Sequence, residues 1–292
     1  MKAFKRCAAF VLALVLLQAA AIPTFADAAE GDIILSFGQD LRAEQRDELT
    51  KRFGDPKDPQ IIEVTNAEEY KYLGDFVPAA KIGKRAISSA KIEYTKPGSG
   101  ISVETSERIT YITGDMYKQA LETAGVEDAR ITVDAPGNVT GTAALTGIMK
   151  AYEVSSGKKI SDSVKKAANE EMVVTSDLAE DVGSDKAADF VKGVKDTMAQ
   201  EAPKSREEVR TIIVNISNEY NINLNEKQTE DLTDFFDRLR TTDIDWEGLA
   251  DKAKGAADSA KEYLGSDEGQ GMLMGIKNAI SNFIDWIASL FR

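Results

Sequence analysis

The 292-residue sequence contains no histidine and a single cysteine, Cys7. Without imidazole there is no Ser-His-Asp triad, no histidine general base and no His-ligated zinc. With no thiol beyond position 7 there is no cysteine nucleophile, Cys-ligated zinc, thiol redox centre or internal disulfide. Catalysis is left with a Ser-Lys pair, a carboxylate pair, or an oxygen-ligated Mg²⁺ or Ca²⁺. The chain also lacks a strongly basic run, and 49 acidic residues outnumber 36 Lys and Arg. Such a surface is repelled by nucleic-acid phosphates and by anionic lipid headgroups. No nucleic-acid partner and no cofactor are expected.

The first residues read as a secretory signal. Lys2, Lys5 and Arg6 form a positive segment ahead of the apolar run "AAFVLALVLLQAAAI", which is too short for a confident span. Small residues then suit cleavage after Ala26, with Thr24 and Ala26 at the −3 and −1 sites, or after Ala28; the competing reading is an uncleaved anchor. Cys7 precedes the apolar run, where a lipoprotein cysteine would follow it. Cleavage at Ala26 removes three cations and no anion, leaving 33 Lys and Arg against 49 Asp and Glu, a net charge of −16. The expected location is secreted or extracellular, associated with the cell envelope.

Periodicity divides the rest at about residue 156. Before it, "DIILSF", "QIIEVT" and "ARITVDA" read as strands, and "DLRAEQRDELTKRFG", "NAEEYKYLG", "GDMYKQALETAGV" and "TGTAALTGIMKAYE" as helices. "AISSAKIEYT" and "GISVETSERITYIT" alternate like antiparallel strands around a "KPGSG" turn, which predicts a hairpin. After it, strand patterns nearly vanish. The expected fold class is α+β: an N-terminal mixed sheet with covering helices, then a helical C-terminal region ending in an amphipathic helix. The domains so defined are a signal peptide 1–26, an α/β domain 27–155, a helical region 156–265 and an amphipathic helix 266–292. One echo links the halves: 41–53 and 224–236 share L-x-x-x-Q-x-x-x-L-T-x-x-F. A duplicated docking helix would give this, and so would two capped amphipathic helices; the second is favoured.

Three motifs compete for chemistry. "APGNVTGTAALTG" joins a strand to a helix with Gly137, Thr140, Gly141 and Thr142 at the junction. These residues are an anion-binding candidate at a helix start, but no Gly-x-Gly-x-x-Gly spacing or Gly-Lys-Thr accompanies them. Close packing of helix on sheet, with Ala143, Ala144 and Gly147 as small residues and Thr140 or Thr142 as cap, is the favoured reading. "DIDWEG" places Asp243, Asp245, Glu247 and Gly248 like the opening of a calcium loop, a metal candidate whose twelfth position holds Lys254 instead of Glu. A capped helix start accounts for the same residues more simply. Ser-x-x-Lys occurs at Ser155–Lys158 and Ser163–Lys166 without a convincing setting. With 49 acids, no carboxylate pair stands out.

At the C-terminus, Leu273, Ile276, Ile280, Phe283, Ile287 and Leu290 recur three and four apart, with Ile284, Trp286 and Phe291 widening the stripe. Polar residues on the other side argue against a spanning helix. The stripe fits the protein's own core, a membrane surface, or an envelope-protein or self-association partner.

The stretches "SFGQDLRAEQRDELTKRFG", "ITYITGDMYKQALETAGVEDARITVDAPGNVTGTAALTGIMKAYE" and "INLNEKQTEDLTDFFDRL", in that order behind a signal segment, resemble the YpuA-like secreted proteins of Gram-positive bacteria, a family of unknown function. The resemblance covers most of residues 32–240. It implies an exported, envelope-associated protein and supplies no catalytic residues. The leading expectation is a non-enzymatic binding or interaction protein. The alternative is a hydrolase using carboxylates, a Ser-Lys pair or a divalent cation.

Overall fold

The computed structural model of the protein describes residues 29–265. The signal segment and the 273–291 stripe lie outside the described residues. The chain divides into two compact units, one ending at Asn169 and one beginning at Glu170. The fold is α+β, with one five-stranded sheet and ten helices among the described residues. No helix among the described residues is long and apolar enough to cross a membrane.

The first unit runs β1 (Ile33–Gly38), α1 (Ala43–Arg52), β2 (Gln60–Val64), α2 (Asn66–Leu73), α3 (Ala79–Ile82), β3 (Ser89–Tyr94), β4 (Ile101–Thr105), α4 (Gly114–Thr123), β5 (Ala129–Asp134) and α5 (Thr142–Ser156). The sheet order is β2-β1-β3-β5-β4. β1 pairs parallel with β2 and β4 parallel with β5, and β3 runs antiparallel between β1 and β5. Each parallel pair is joined by a helical crossover, as parallel neighbours require. The expected β3–β4 hairpin does not form. β5 lies between the two strands, pairing Ile92 with Ile131 on one side and Val103 with Ile131 on the other. The apolar alternation of the two segments was real; their partner was a third strand that local pattern cannot identify.

β1 is buried on both faces. Leu35 and Phe37 pack with Leu41, Leu49 and Phe53 of the α1 region. Ile34 and Ser36 alternate to the other face, where α5 lies across β1, β2 and β3. α5 is buried nearly all round and is made of small residues where it approaches closest. A Cβ on Gly147 would overlap Ser36 Oγ and touch Val64. The end of β1 accepts a second close approach, since a Cβ on Gly38 would overlap the Ala86 carbonyl. There Asp40 N donates to Ala86 O at 3.0 Å, and Ala86 N donates to Asp40 Oδ2 at 2.8 Å. These bonds strap residues 83–88 over the sheet edge. Asp40 is thus used by the strap, and the N-cap of α1 is Arg42.

The second unit continues α6 (Asp162–Val182) and adds α7 (Ser184–Glu201), α8 (Arg206–Glu219), α9 (Glu226–Thr241) and α10 (Trp246–Gly265). The change from sheet to helices falls where α5 ends at left-handed Gly157, whereas the compact units divide inside α6. Phe190, Val191 and Val194 of α7, Val209, Ile212 and Ile213 of α8, and Phe235, Phe236 and Leu239 of α9 form its core. Lys195 Nζ and Glu171 Oε1, almost wholly buried, pair at 2.5 Å inside it.

The internal echo has a local explanation. Gln45 Oε1 accepts the Arg42 N–H at 3.0 Å, and Gln228 Oε1 accepts the Asn225 N–H at 2.9 Å, each closing the first turn of its helix. Leu49 and Phe53 in one copy, Leu232 and Phe236 in the other, are the buried stripe. The shared threonines bond back four residues, Thr50 to Arg46 O and Thr233 to Thr229 O. One cap chemistry, one apolar face and one threonine back-bond account for four of the five shared residues, Leu41 and Leu224 aside.

Two stability outcomes follow. Gly38→Ala should lower unfolding free energy by about 1–3 kcal/mol, because the obstructing atoms are backbone; an unchanged urea midpoint would contradict the close approach. Lys195→Met should cost roughly 3–5 kcal/mol by removing the cation paired with a buried carboxylate, while Lys195→Met with Glu171→Leu should recover most of it. Equal losses in single and double variants would refute the buried pair.

Candidate functional site

The carboxyl ends of β1, β2, β4 and β5 share one edge of the sheet with the start of β3, as the pairing directions require. In open sheets flanked by helices this is the edge where ligands bind. Here it carries a cleft of about 250 Å³, walled by Glu69 of α2, residues 80–82 of α3, the 83–88 strap and the 138–143 turn into α5.

Glu69 is the one carboxylic side chain lining the cleft, and it is 1% exposed. Its partners are neutral: Asn66 Nδ2 donates to Oε2 at 3.0 Å and Thr142 Oγ1 donates to Oε1 at 2.9 Å. Burial pushes its pKa up, the two hydrogen bonds pull it down by less, and nearby Asp40 adds to the rise; the result is about 7. A carboxyl group perturbed by desolvation in a cleft marks a candidate functional site.

Around it the cleft is built from backbone constraints. Gly141 is the N-cap of α5 at φ +103, and a Cβ there would overlap the Tyr117 hydroxyl. That hydroxyl donates to Gly141 O at 2.5 Å, and burial drives its own pKa far up. No side chain of the turn caps α5. The cap comes from the strap, where Ser88 Oγ accepts the Ala144 N–H at 3.0 Å. Thr142, a proposed cap in sequence, instead turns its hydroxyl to Glu69.

Three cations line the strap side: Lys81, Lys84 and Arg85. Lys81 Nζ is held by Tyr111, 3.1 Å from its hydroxyl and 4.6 Å from its ring centroid. Lys84 and Arg85 are exposed, and among the described residues neither enters an ion pair.

Of the four anion-site candidates, Thr140, Gly141 and Thr142 line this cleft and Gly137 does not. Gly147, buried against Ser36, belongs to packing. The three acids of the metal candidate are all exposed. Asp245 Oδ1 accepts the Gly248 N–H at 2.9 Å, capping α10, with Glu247 in the first turn. Among the described residues no group of three or more acidic side chains is arranged to hold a metal. The Ser-Lys spacings do not become dyads. Ser155 Oγ donates to Ala151 O and shares a short hydrogen bond with Tyr94, while Lys158 bonds Tyr152. Ser163 Oγ meets Ser161, while Lys166 pairs with Asp75.

Sequence reasoning missed Glu69, Ser88, Lys84 and Arg85. For Glu69 a signal was there: it precedes buried Tyr72 and Leu73 by three and four residues, which puts a carboxylate on the apolar face of its helix.

The chain matches the family model described as "Protein of unknown function (DUF1002)" over residues 37–256. It is 39% identical over 270 residues to the uncharacterized protein YpuA of Bacillus subtilis (strain 168), covering 92% of this chain and 90% of that protein. No solved structure matches it.

Glu69 makes stability depend on pH. The folded state keeps the proton to about pH 7, while the unfolded chain releases it near 4.5. Between those values the folded state binds more protons, so stability falls as pH rises, and above pH 7 the whole cost is present. Glu69→Gln should therefore match the wild type near pH 4 and exceed it at pH 8 by up to about 3 kcal/mol in urea unfolding. A variant less stable at pH 8 would show the carboxylate to be favourably held.

Proposed function

The chain belongs to the DUF1002 family of proteins of unknown function, and from that premise we propose that it is an exported, envelope-associated binding protein that holds its ligand in the cleft at the carboxyl ends of the strands. The observation that carries this is the composition of the cleft: its lining holds one buried carboxyl group and two cations, Lys84 and Arg85, that enter no ion pair among the described residues. A glycosidase-type mechanism needs two carboxyl groups flanking the scissile bond, and a nucleophilic one needs a hydroxyl within reach of a base. Glu69 has no second carboxyl group beside it in the lining, and the Ser88 hydroxyl is engaged in capping α5. That supports holding over turnover.

Export rests on the segment 1–26, with the mature chain beginning at Asp27 or Ala29. Retention at the envelope rests on the 273–291 stripe, whose apolar side chains suit a membrane surface. Few basic residues accompany it, so apolar area rather than anionic lipid supplies the attachment; burying four of its nine large side chains gives roughly 6–12 kcal/mol of gross transfer free energy.

Co-sedimentation with neutral phosphatidylcholine vesicles tests the attachment. The chain 27–292 should pellet and the chain 27–265 should stay in solution; if both stay in solution, attachment through the stripe is wrong. Millimolar Ca²⁺ or Mg²⁺ should leave the melting temperature unchanged, whereas a rise of several degrees reversed by chelator would favour a cation-dependent hydrolase.

A further inference from the structure

We propose that the cleft takes an oxyanion group, the sulfate, phosphate or carboxylate end of a ligand, at the Lys84 and Arg85 side of its rim, and that Glu69 accompanies it as the neutral acid. Binding is thereby linked to uptake of a proton. This rests on the cleft being the ligand site.

The charge arrangement selects the ligand. Lys84 and Arg85 are adjacent in sequence, border the cleft and have no ion-pair partner among the described residues, in a chain where acids exceed bases by thirteen. Neighbouring cations elsewhere are engaged: Lys150 bonds Glu68 at 2.7 Å and the Glu63 carbonyl at 2.8 Å. Two uncompensated cations on a strap that hydrogen bonds fix to β1 leave a positive rim that an anion would complete. An oxyanion fits the fork of arginine.

Glu69 then decides occupancy. It lines the same cleft of about 250 Å³ and is itself 1% exposed, so its ionised form would repel an anion held there with little solvent screening. The groups facing it are Asn66 on its own helix, Asp40 from the end of β1, Thr142 from α5 and Tyr117 from α4. Lys81, Lys84 and Arg85 border the cleft from α3 and the strap. None of these partners is a cation bonded to the carboxyl group, and Asp40 opposes its ionisation. As the neutral acid, Glu69 removes the repulsion and keeps its bonds to Asn66 and Thr142. Its pKa of about 7 puts the change in the neutral range. The absence of histidine makes the effect readable: no side chain of ordinary pKa titrates between pH 6 and 8.5 in the mature chain.

The test is calorimetric titration of the mature chain 27–292 with sulfate and, separately, acetate, at pH 6 and 8.5 and constant ionic strength. Neither probe changes charge in that range. Wild type should bind at pH 6 and about 30-fold more weakly at pH 8.5, the loss approaching tenfold per unit above pH 7. Buffers of different ionisation enthalpy should report nearly one proton taken up per anion at pH 8. Glu69→Gln, whose amide reproduces the neutral acid, should bind equally at both pH values. Lys84→Ala with Arg85→Ala should lose binding at both. Sulfate binding without acetate would identify a tetrahedral group, and acetate without sulfate a carboxylate; either supports the oxyanion assignment. If wild type binds independently of pH, or Glu69→Gln keeps the pH dependence, the proton linkage is wrong and the cleft remains a ligand site. If neither anion binds wild type at either pH, or the double-alanine variant binds like wild type, the oxyanion assignment is overturned.

Discussion

α5 lying buried across β1, β2 and β3 is the constraint on which the sheet-bearing unit depends. A helix covered nearly all round can approach a sheet only through small side chains, and Ala143, Ala144 and Gly147 supply them. Its seat fixes the height of its first turn relative to α2, and so brings Thr142 to Glu69. It also leaves that turn without a cap of its own, a need met by Ser88 from the strap. The strap in turn depends on Gly38, where the missing Cβ lets the Ala86 carbonyl lie against the end of β1. Packing thus determines where every polar group of the cleft stands.

That packing carries an electrostatic cost concentrated at one residue. Glu69 is buried among neutral hydrogen-bond partners rather than paired with a cation, so its desolvation is only partly offset. The remaining buried acids of the two units are differently treated. Asp134 lies between Arg52 and Arg108, with Ser106 donating to it. Glu171 pairs with Lys195, and Glu170 with Arg238. Against that pattern, Glu69 is the buried acid whose ionisation the structure opposes. In a chain without histidine it takes the place of a neutral-pH titrating group.

The two similar helices make a related point about likeness within one sequence. Gln45 and Gln228 receive the N–H of the residue before the helix, and Leu and Phe at fixed offsets enter separate cores. The requirement to close a first turn and to bury a stripe is the same in both places. Convergence on five residues in a span of thirteen needs only local physics, so the pattern says nothing about a shared partner.

The sequence by itself determined most of the helices and the excluded chemistries, because these follow from residue type and from spacing within one element; the cap of α5 does not, since it comes from Ser88 of the strap. Absent histidine and cysteine remove whole mechanisms wherever the chain folds; the 3.6-residue apolar period marks a helix wherever it packs. Asp245 as a cap belongs to the same class, being settled within four residues. Only the tertiary structure decided that β5 separates β3 from β4, since alternation shows that a strand has a buried face but not which strand lies beside it. It alone decided the cleft, whose members stand at 69, 84–88 and 140–142 and meet only because α5 crosses β1. A carboxylate on an apolar helix face hinted at Glu69, but its neutral partners and the cations across the cleft are facts of distance, and distance between remote residues is not carried by local pattern.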